Sequence, residues 1–227
     1  MANASYAARQ PPVTEGEEPV HVLVTGFGPF LSQVPINSSW EIASTLPALL
    51  PASPTNPTPI HIRVHHEPIR VAYQNVVRTL PTLLPPNSTA SPPPDIVLHI
   101  GLAASRRFYA IEQGAHVRGY DKTADVDGLK FSDDEAKSLF PESEYPEVLS
   151  TGFDTQDVLG RWKDQLGNAS GVHSAPDVRI NPDAGNFLCG FIYCNALAHY
   201  HRLNGVEGDR PVIFMHVPDL SMSAGGE

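Results

Sequence analysis

The sequence predicts an α/β layered fold built as one globular domain. Short apolar runs that stop at glycine- or proline-bearing turns alternate with segments of helical apolar spacing, the order expected when strands and helices pack in layers. The 227 residues are 41% hydrophobic and 18% charged, which is enough apolar material for one sizeable core and too little charge for disorder throughout. Residues 1–19, ending in PPVTEGEEP, have no apolar period and read as a flexible tail, so the domain is expected over 20–227.

Val20 to Val24 is a short apolar strand that stops at Thr25, where Gly26, Gly28 and Pro29 impose a tight turn. SSWEIASTLPALL places Trp40, Ile42, Ala43 and Leu46 at helical spacings, with Ser38 or Ser39 as N-cap and Pro47 disturbing the end. Ile60, Ile62 and Val64 alternate as a second strand at one side of the sheet. Residues 69–84 suit a helix whose regular part Pro81 should end early. IVLHIGLA then reads as a buried central strand broken at Gly101, and FYAIEQGAHV as two short strands bent at Gly114. From Arg118 to about Thr151 the chain is polar and aperiodic, the pattern of a surface excursion or lid. A helix on Val158, Leu159, Trp162 and Leu166, a brief strand at Val178 to Ile180, the helix AGNFLCGFIYCNALAHY and the buried strand PVIFMHVP complete the alternation. The proline-rich runs 47–59 and 85–94 are connectors between packed elements, not repeats.

Composition excludes several functions. Fifteen basic against 25 acidic residues give a net charge of -10 with no basic stripe, which disfavours nucleic-acid binding. No run of eighteen apolar residues occurs and the opening residues lack a leader pattern, so a soluble, cytoplasmic protein without membrane contact is expected. The two cysteines, Cys189 and Cys194, are too few for a disulfide framework. His61, His65 and His66 in HIRVHH lack a cysteine or carboxylate pattern, and His199 with His201 sits at a polar helix end; no metal is assigned.

Four places carry chemistry. Cys189 falls near a helix start, where unpaired N–H groups and the helix dipole favour a thiolate, although a buried core cysteine has the same local sequence. Cys194, five residues deeper, fits the core reading better. His216 stands at the exit of a strand, placed either as a base for Cys189 or as a structural histidine. Glu112 interrupts an apolar segment, as a partner for His216 if buried or as a solvated strand edge if not. Phe27 and Phe30 in TGFGPF either pack the core or line a small apolar pocket.

Taken in order, VLVTGFGPF with INSSWE, GLAASRRFYAIEQGA, DAGNFLCGFIY and FMHVPD resemble the signature blocks of the pyroglutamyl peptidase I family, the pyrrolidone-carboxylate peptidases or C15 cysteine peptidases, over Val22 to Asp219. The resemblance implies a three-layer α/β/α domain around a twisted, mostly parallel mixed sheet. It further implies a catalytic set of Glu112, Cys189 and His216, with Phe27 and Phe30 holding the lactam ring of an N-terminal pyroglutamate. It implies hydrolysis of the bond after that residue through a pyroglutamyl thioester, without a cofactor. The sequence departs from the family at Gly190, where many members resemble Cys-Asn, and at Leu102, where bacterial members often resemble Gly-Gln. A catalytically inactive binder of pyroglutamyl peptides is the alternative; a nucleotide-binding reading of the first glycine turn lacks both GxGxxG and a phosphate-loop lysine. The chain is read as a monomer, with a homo-oligomer as the other assembly.

Overall fold

Seven strands form a mixed sheet in the order β2-β3-β1-β4-β9-β5-β8 in a computed structural model that describes residues 18–30, 35–54, 56–168 and 175–220. The expected tail at 1–19 lies almost wholly outside the described residues. The strands are β1 Val20–Thr25, β2 Leu49–Leu50, β3 Ile60–Val64, β4 Ile96–Leu102, β5 Tyr109–Glu112, β8 Val178–Asn181 and β9 Val212–Val217. β3, β1, β4 and β9 run parallel, β5 pairs antiparallel with β9 and parallel with β8, and β2 is antiparallel to β3. A separate two-stranded ribbon joins β6 Gly114–His116 to β7 Val148–Ser150.

Strand alternation assigns the two faces. Leu23, Val97, Val212 and Phe214 face a core shared with helices α2 Tyr73–Leu83 and α5 Leu188–Asn204. Val24, Ile100 and Val217 face the opposite way, against Ala43 and Trp40 of α1 Ser38–Thr45. α4 Thr155–Asn168 packs against β5 and β8, where Trp162 meets Tyr109 edge to face. Helices therefore cover both faces, giving the three-layer α/β/α arrangement.

Four local expectations change. The edge beside β3 belongs to β2, two residues long and hidden in what reads as a helix tail and connector; β3 lies one strand inward. The N-cap of α1 is Asn37 rather than Ser38 or Ser39: its side chain accepts from the Ser39 N–H, which an Asn does as well as a serine. Pro81 lies inside α2, two residues before its end, and β4 runs through Gly101 to Leu102 instead of breaking there.

The largest correction concerns residues 118–151. The segment holds α3 Asp133–Leu139 and β7, and it sends Tyr120, Phe131, Phe140, Tyr145 and Leu149 into the α2/α5 core. Phe131 packs tilted and Tyr120 edge to face against Phe191, with ring centroids 4.6 and 5.1 Å apart. The buried Asp125 carboxylate accepts from the N–H groups of Tyr73, Asp127 and Leu129, so a residue of this segment caps the start of α2, which has no cap from its own side chains. It is part of the domain's interior wall, not a surface lid.

Candidate active site

The parallel strands β4 and β9 end side by side, with Gly101 opposite His216, and the adjacent antiparallel β5 brings its own last residue, Glu112, opposite Phe214. α5 begins above this point, so its second residue, Cys189, meets the sheet at Gly101. A β-carbon on Gly101 would lie 2.6 Å from the Phe214 ring and 2.8 Å from Cys189 Sγ. Glycine is required here by the approach of the thiol, which is why a strand-interior glycine that reads as a break is instead a seat.

Glu112 has no exposed surface. Its Oε1 accepts from His216 Nδ1 at 2.7 Å, its Oε2 from Asn181 Nδ2 at 2.6 Å, and Arg106 Nη1 donates to Oε1 at 2.8 Å. With Nδ1 committed to the carboxylate, the other ring nitrogen of His216 is left for the neighbouring Cys189 thiol. Burial alone would depress the His216 pKa, but the neighbouring Cys189 and Glu112 overcome it and hold it up to about 9. His216 therefore keeps its proton at neutral pH. Cys194, fully buried on another face of α5, has its thiol pushed up by desolvation and stays inert.

Glu112, Cys189 and His216 thus meet, and the solvated-edge reading of Glu112 fails because the carboxylate sits in the interior at a strand pairing. Phe27 is closed from solvent within the α2/α5 core. Phe30 is partly exposed and stands 6.2 Å from Phe187, the N-cap residue of α5. The loop that bears both phenylalanines is tied down by INSSW: Ser39 Oγ accepts from Phe27 N–H at 3.0 Å, and Asn37 Nδ2 donates to the Gly28 carbonyl at 2.9 Å. On its other side, the Gly28 N–H donates to the Ile69 carbonyl at 2.9 Å and the Ile69 N–H donates to the Gly26 carbonyl at 2.8 Å.

Arg106 and Asn181 were not among the candidates from sequence. Asn181 becomes visible only once β5 and β8 are in register, which sets it opposite Glu112. For Arg106 the one sequence signal is its place in GLAASRRFYAIE, six residues before the glutamate.

A family model described as pyroglutamyl peptidase matches residues 20–148. The chain belongs to the pyroglutamyl peptidase family. The matched segment contains Glu112, while Cys189 and His216 lie beyond it. Over 199 residues the chain is 27% identical to pyroglutamyl-peptidase 1 of Homo sapiens and of Mus musculus, covering 88% of this chain and 79% of each relative. The pyrrolidone carboxyl peptidase of Thermus thermophilus superposes with a TM-score of 0.60 at 24% identity, covering 89% of this chain and 88% of that one. That of the keratin-degrading bacterium Fervidobacterium islandicum superposes at 0.64 and 24%, covering 92% and 86%. These structural likenesses establish the fold that pyroglutamyl peptidases share with this chain.

Among the described residues, His65, His66 and Glu67 bring ligand-type atoms within 4.8 Å of one another. They sit on the turn after β3, where His66 and Glu67 are exposed and two imidazoles beside a solvated carboxylate are ordinary surface chemistry. No helix of the described residues is long and apolar enough to cross a membrane.

Proposed function

We propose that the chain hydrolyses the bond after an N-terminal pyroglutamyl residue of peptides, with Cys189 as nucleophile, His216 as general base and acid, and Glu112 orienting His216. The observation that carries this reading is the chain of contacts from a buried carboxylate through one imidazole to a thiol at a helix start. It is the geometry by which a weak nucleophile is activated and a leaving amine is protonated.

His216 already carries the proton, so Cys189 acts as the thiolate of a thiolate–imidazolium pair, and the thiolate attacks the carbonyl carbon that joins pyroglutamate to the next residue. The tetrahedral species collapses as His216 gives its proton to the departing amine, leaving a pyroglutamyl thioester. His216, now neutral, takes a proton from water as its oxygen attacks the thioester; the tetrahedral species expels the Cys189 thiolate beside the re-protonated His216 and frees pyroglutamate. The first-turn N–H groups of α5 suit the developing oxyanion, because no side chain caps this helix start. Phe30 and Phe187 supply the open part of an aromatic wall for the lactam ring, with Phe27 packed behind it. The chain is read as a monomer in the cytoplasm, whose reducing environment suits a free-thiol nucleophile.

The test is release of a fluorogenic leaving group from a pyroglutamyl substrate, beside a matched prolyl substrate and the Cys189→Ala protein. Turnover by the wild type alone, with the prolyl analogue rejected, is expected. Equal turnover by wild type and variant would overturn the nucleophile assignment, and so would a trapped acyl group found by mass spectrometry on Cys194.

A further inference from the structure

Glu112 is served by three side chains, and they differ in what they supply. Asn181 gives a hydrogen bond without charge. His216 gives a positive charge only while it is protonated, and the reaction proposed above requires it to lose that proton in turn. Arg106 gives a charge that never leaves, on the same oxygen that orients the imidazole: Nη1 lies 2.8 Å from Oε1, and Nδ1 of His216 lies 2.7 Å from it. A carboxylate with no exposed surface is costly to keep ionised unless a cation stays beside it.

Arg106 is itself held. It belongs to the turn after β4, where its N–H donates to the Ala103 carbonyl at 2.9 Å. Its guanidinium carbon lies 5.7 Å from the Phe108 ring centroid. Arg179 lies 4.2 Å from the same centroid and is ion-paired with Asp177, so it is occupied elsewhere. Around the Glu112–His216 pair the facing polar groups are Cys189 and Tyr193 from α5, Asn181 from β8 and Arg106 from the turn. Tyr193 meets this pair at the Glu112 backbone carbonyl, to which its hydroxyl donates at 3.1 Å.

We propose that Arg106 is a positioning residue of this site: it keeps a permanent positive charge and a hydrogen bond on Glu112 Oε1, and so holds the carboxylate in place while His216 cycles between its protonated and neutral forms. The inference rests on the catalytic reading above. Its consequence is electrostatic as well as geometric. Removing a permanent positive charge makes the cluster more negative, so Cys189 and His216 bind protons more tightly and both limbs of the pH profile move to higher pH.

The experiment compares Arg106→Met, Arg106→Gln and Arg106→Lys. Met and Gln should lower kcat roughly ten- to a hundredfold, as expected for a misaligned catalytic group, with KM nearly unchanged. In both, thiolate formation at Cys189, followed by ultraviolet absorbance against the Cys189→Ala protein, should move to higher pH than in the wild type. Lys, which keeps the charge, should restore the titration and most of kcat. An unshifted thiolate titration in folded Arg106→Gln, or an Arg106→Lys protein as impaired as Arg106→Met, would overturn the proposal. The titration needs no substrate, so it judges Arg106 even if the wild-type protein fails to release pyroglutamate, a failure that would count against the function alone.

Discussion

At the scale of single residues, the site turns on His216 carrying a proton that burial alone would strip. Cys189 and Glu112 outweigh desolvation and raise its pKa from 6.5 to about 9. The apparent value seen in kinetics belongs to the coupled pair, but its direction is testable: the alkaline limb of kcat/KM should fall near pH 9, as His216 loses the proton destined for the leaving amine. Glu112→Gln keeps the shape and removes the charge that favours imidazolium and fixes its tautomer. That variant should lose about 10²- to 10⁴-fold in kcat/KM, with the alkaline limb shifted to lower pH. Stability carries the same sign. A raised folded-state pKa means that the native protein binds more protons than the unfolded chain between pH 6.5 and 9, so this contribution is complete below 6.5 and is lost as pH rises through 9. Denaturant midpoints across that window should decline less in Glu112→Gln than in the wild type. An equal decline would place the pH-sensitive group elsewhere.

At the scale of elements, the start of α5 decides whether the thiol is presented at all. Gly190 follows Cys189 where many relatives resemble Cys-Asn, and the structure gives a reason. A β-carbon there would lie 1.7 Å from the Gly185 carbonyl oxygen, so the turn before α5 folds directly onto the helix backbone. Gly185 itself takes φ +82°, a left-handed conformation suited to glycine, and this aims that carbonyl. The two glycines form one local solution, so restoring a side chain at 190 alone should do harm. Gly190→Ala should cost about 1–3 kcal/mol by denaturant unfolding and lower kcat as the helix start shifts; wild-type stability would show that the turn can relax at no cost. Such pairings explain what was legible in the sequence. Cys189, Glu112 and His216 each carry a local mark: a helix start, a charge inside an apolar run, a strand exit. Arg106 and Asn181 owe their roles to a turn and to the β5–β8 register, neither of which leaves a periodic trace. β2 escaped for a plainer reason, since two residues cannot show an alternation.

At the scale of the whole molecule, the segment between β6 and β7 settles how the domain is built. Its polarity and irregular spacing suggest a lid because its core residues enter one at a time, from a loop, a helix edge and a strand. Tyr120, Phe131, Phe140 and Tyr145 share no period, yet all are buried. Phe131 lies between Phe191 of α5 and Tyr73 of α2, at ring-centroid distances of 4.6 and 6.0 Å. Tyr73 in turn meets Phe187 at 6.2 Å, so one aromatic cluster runs from this segment to the residue that opens the nucleophile helix. A detachable lid and an integral wall respond differently when this cluster is cut. If the segment is integral, Phe131→Ala should destabilise the whole domain by about 3–5 kcal/mol in a single cooperative transition, since removing a buried ring leaves a cavity that neighbours fill only in part. Limited proteolysis should then cleave the variant within the segment and the core together as the folded population falls. Cleavage confined to 118–151, with the remaining domain still unfolding at the wild-type denaturant midpoint, would restore the lid.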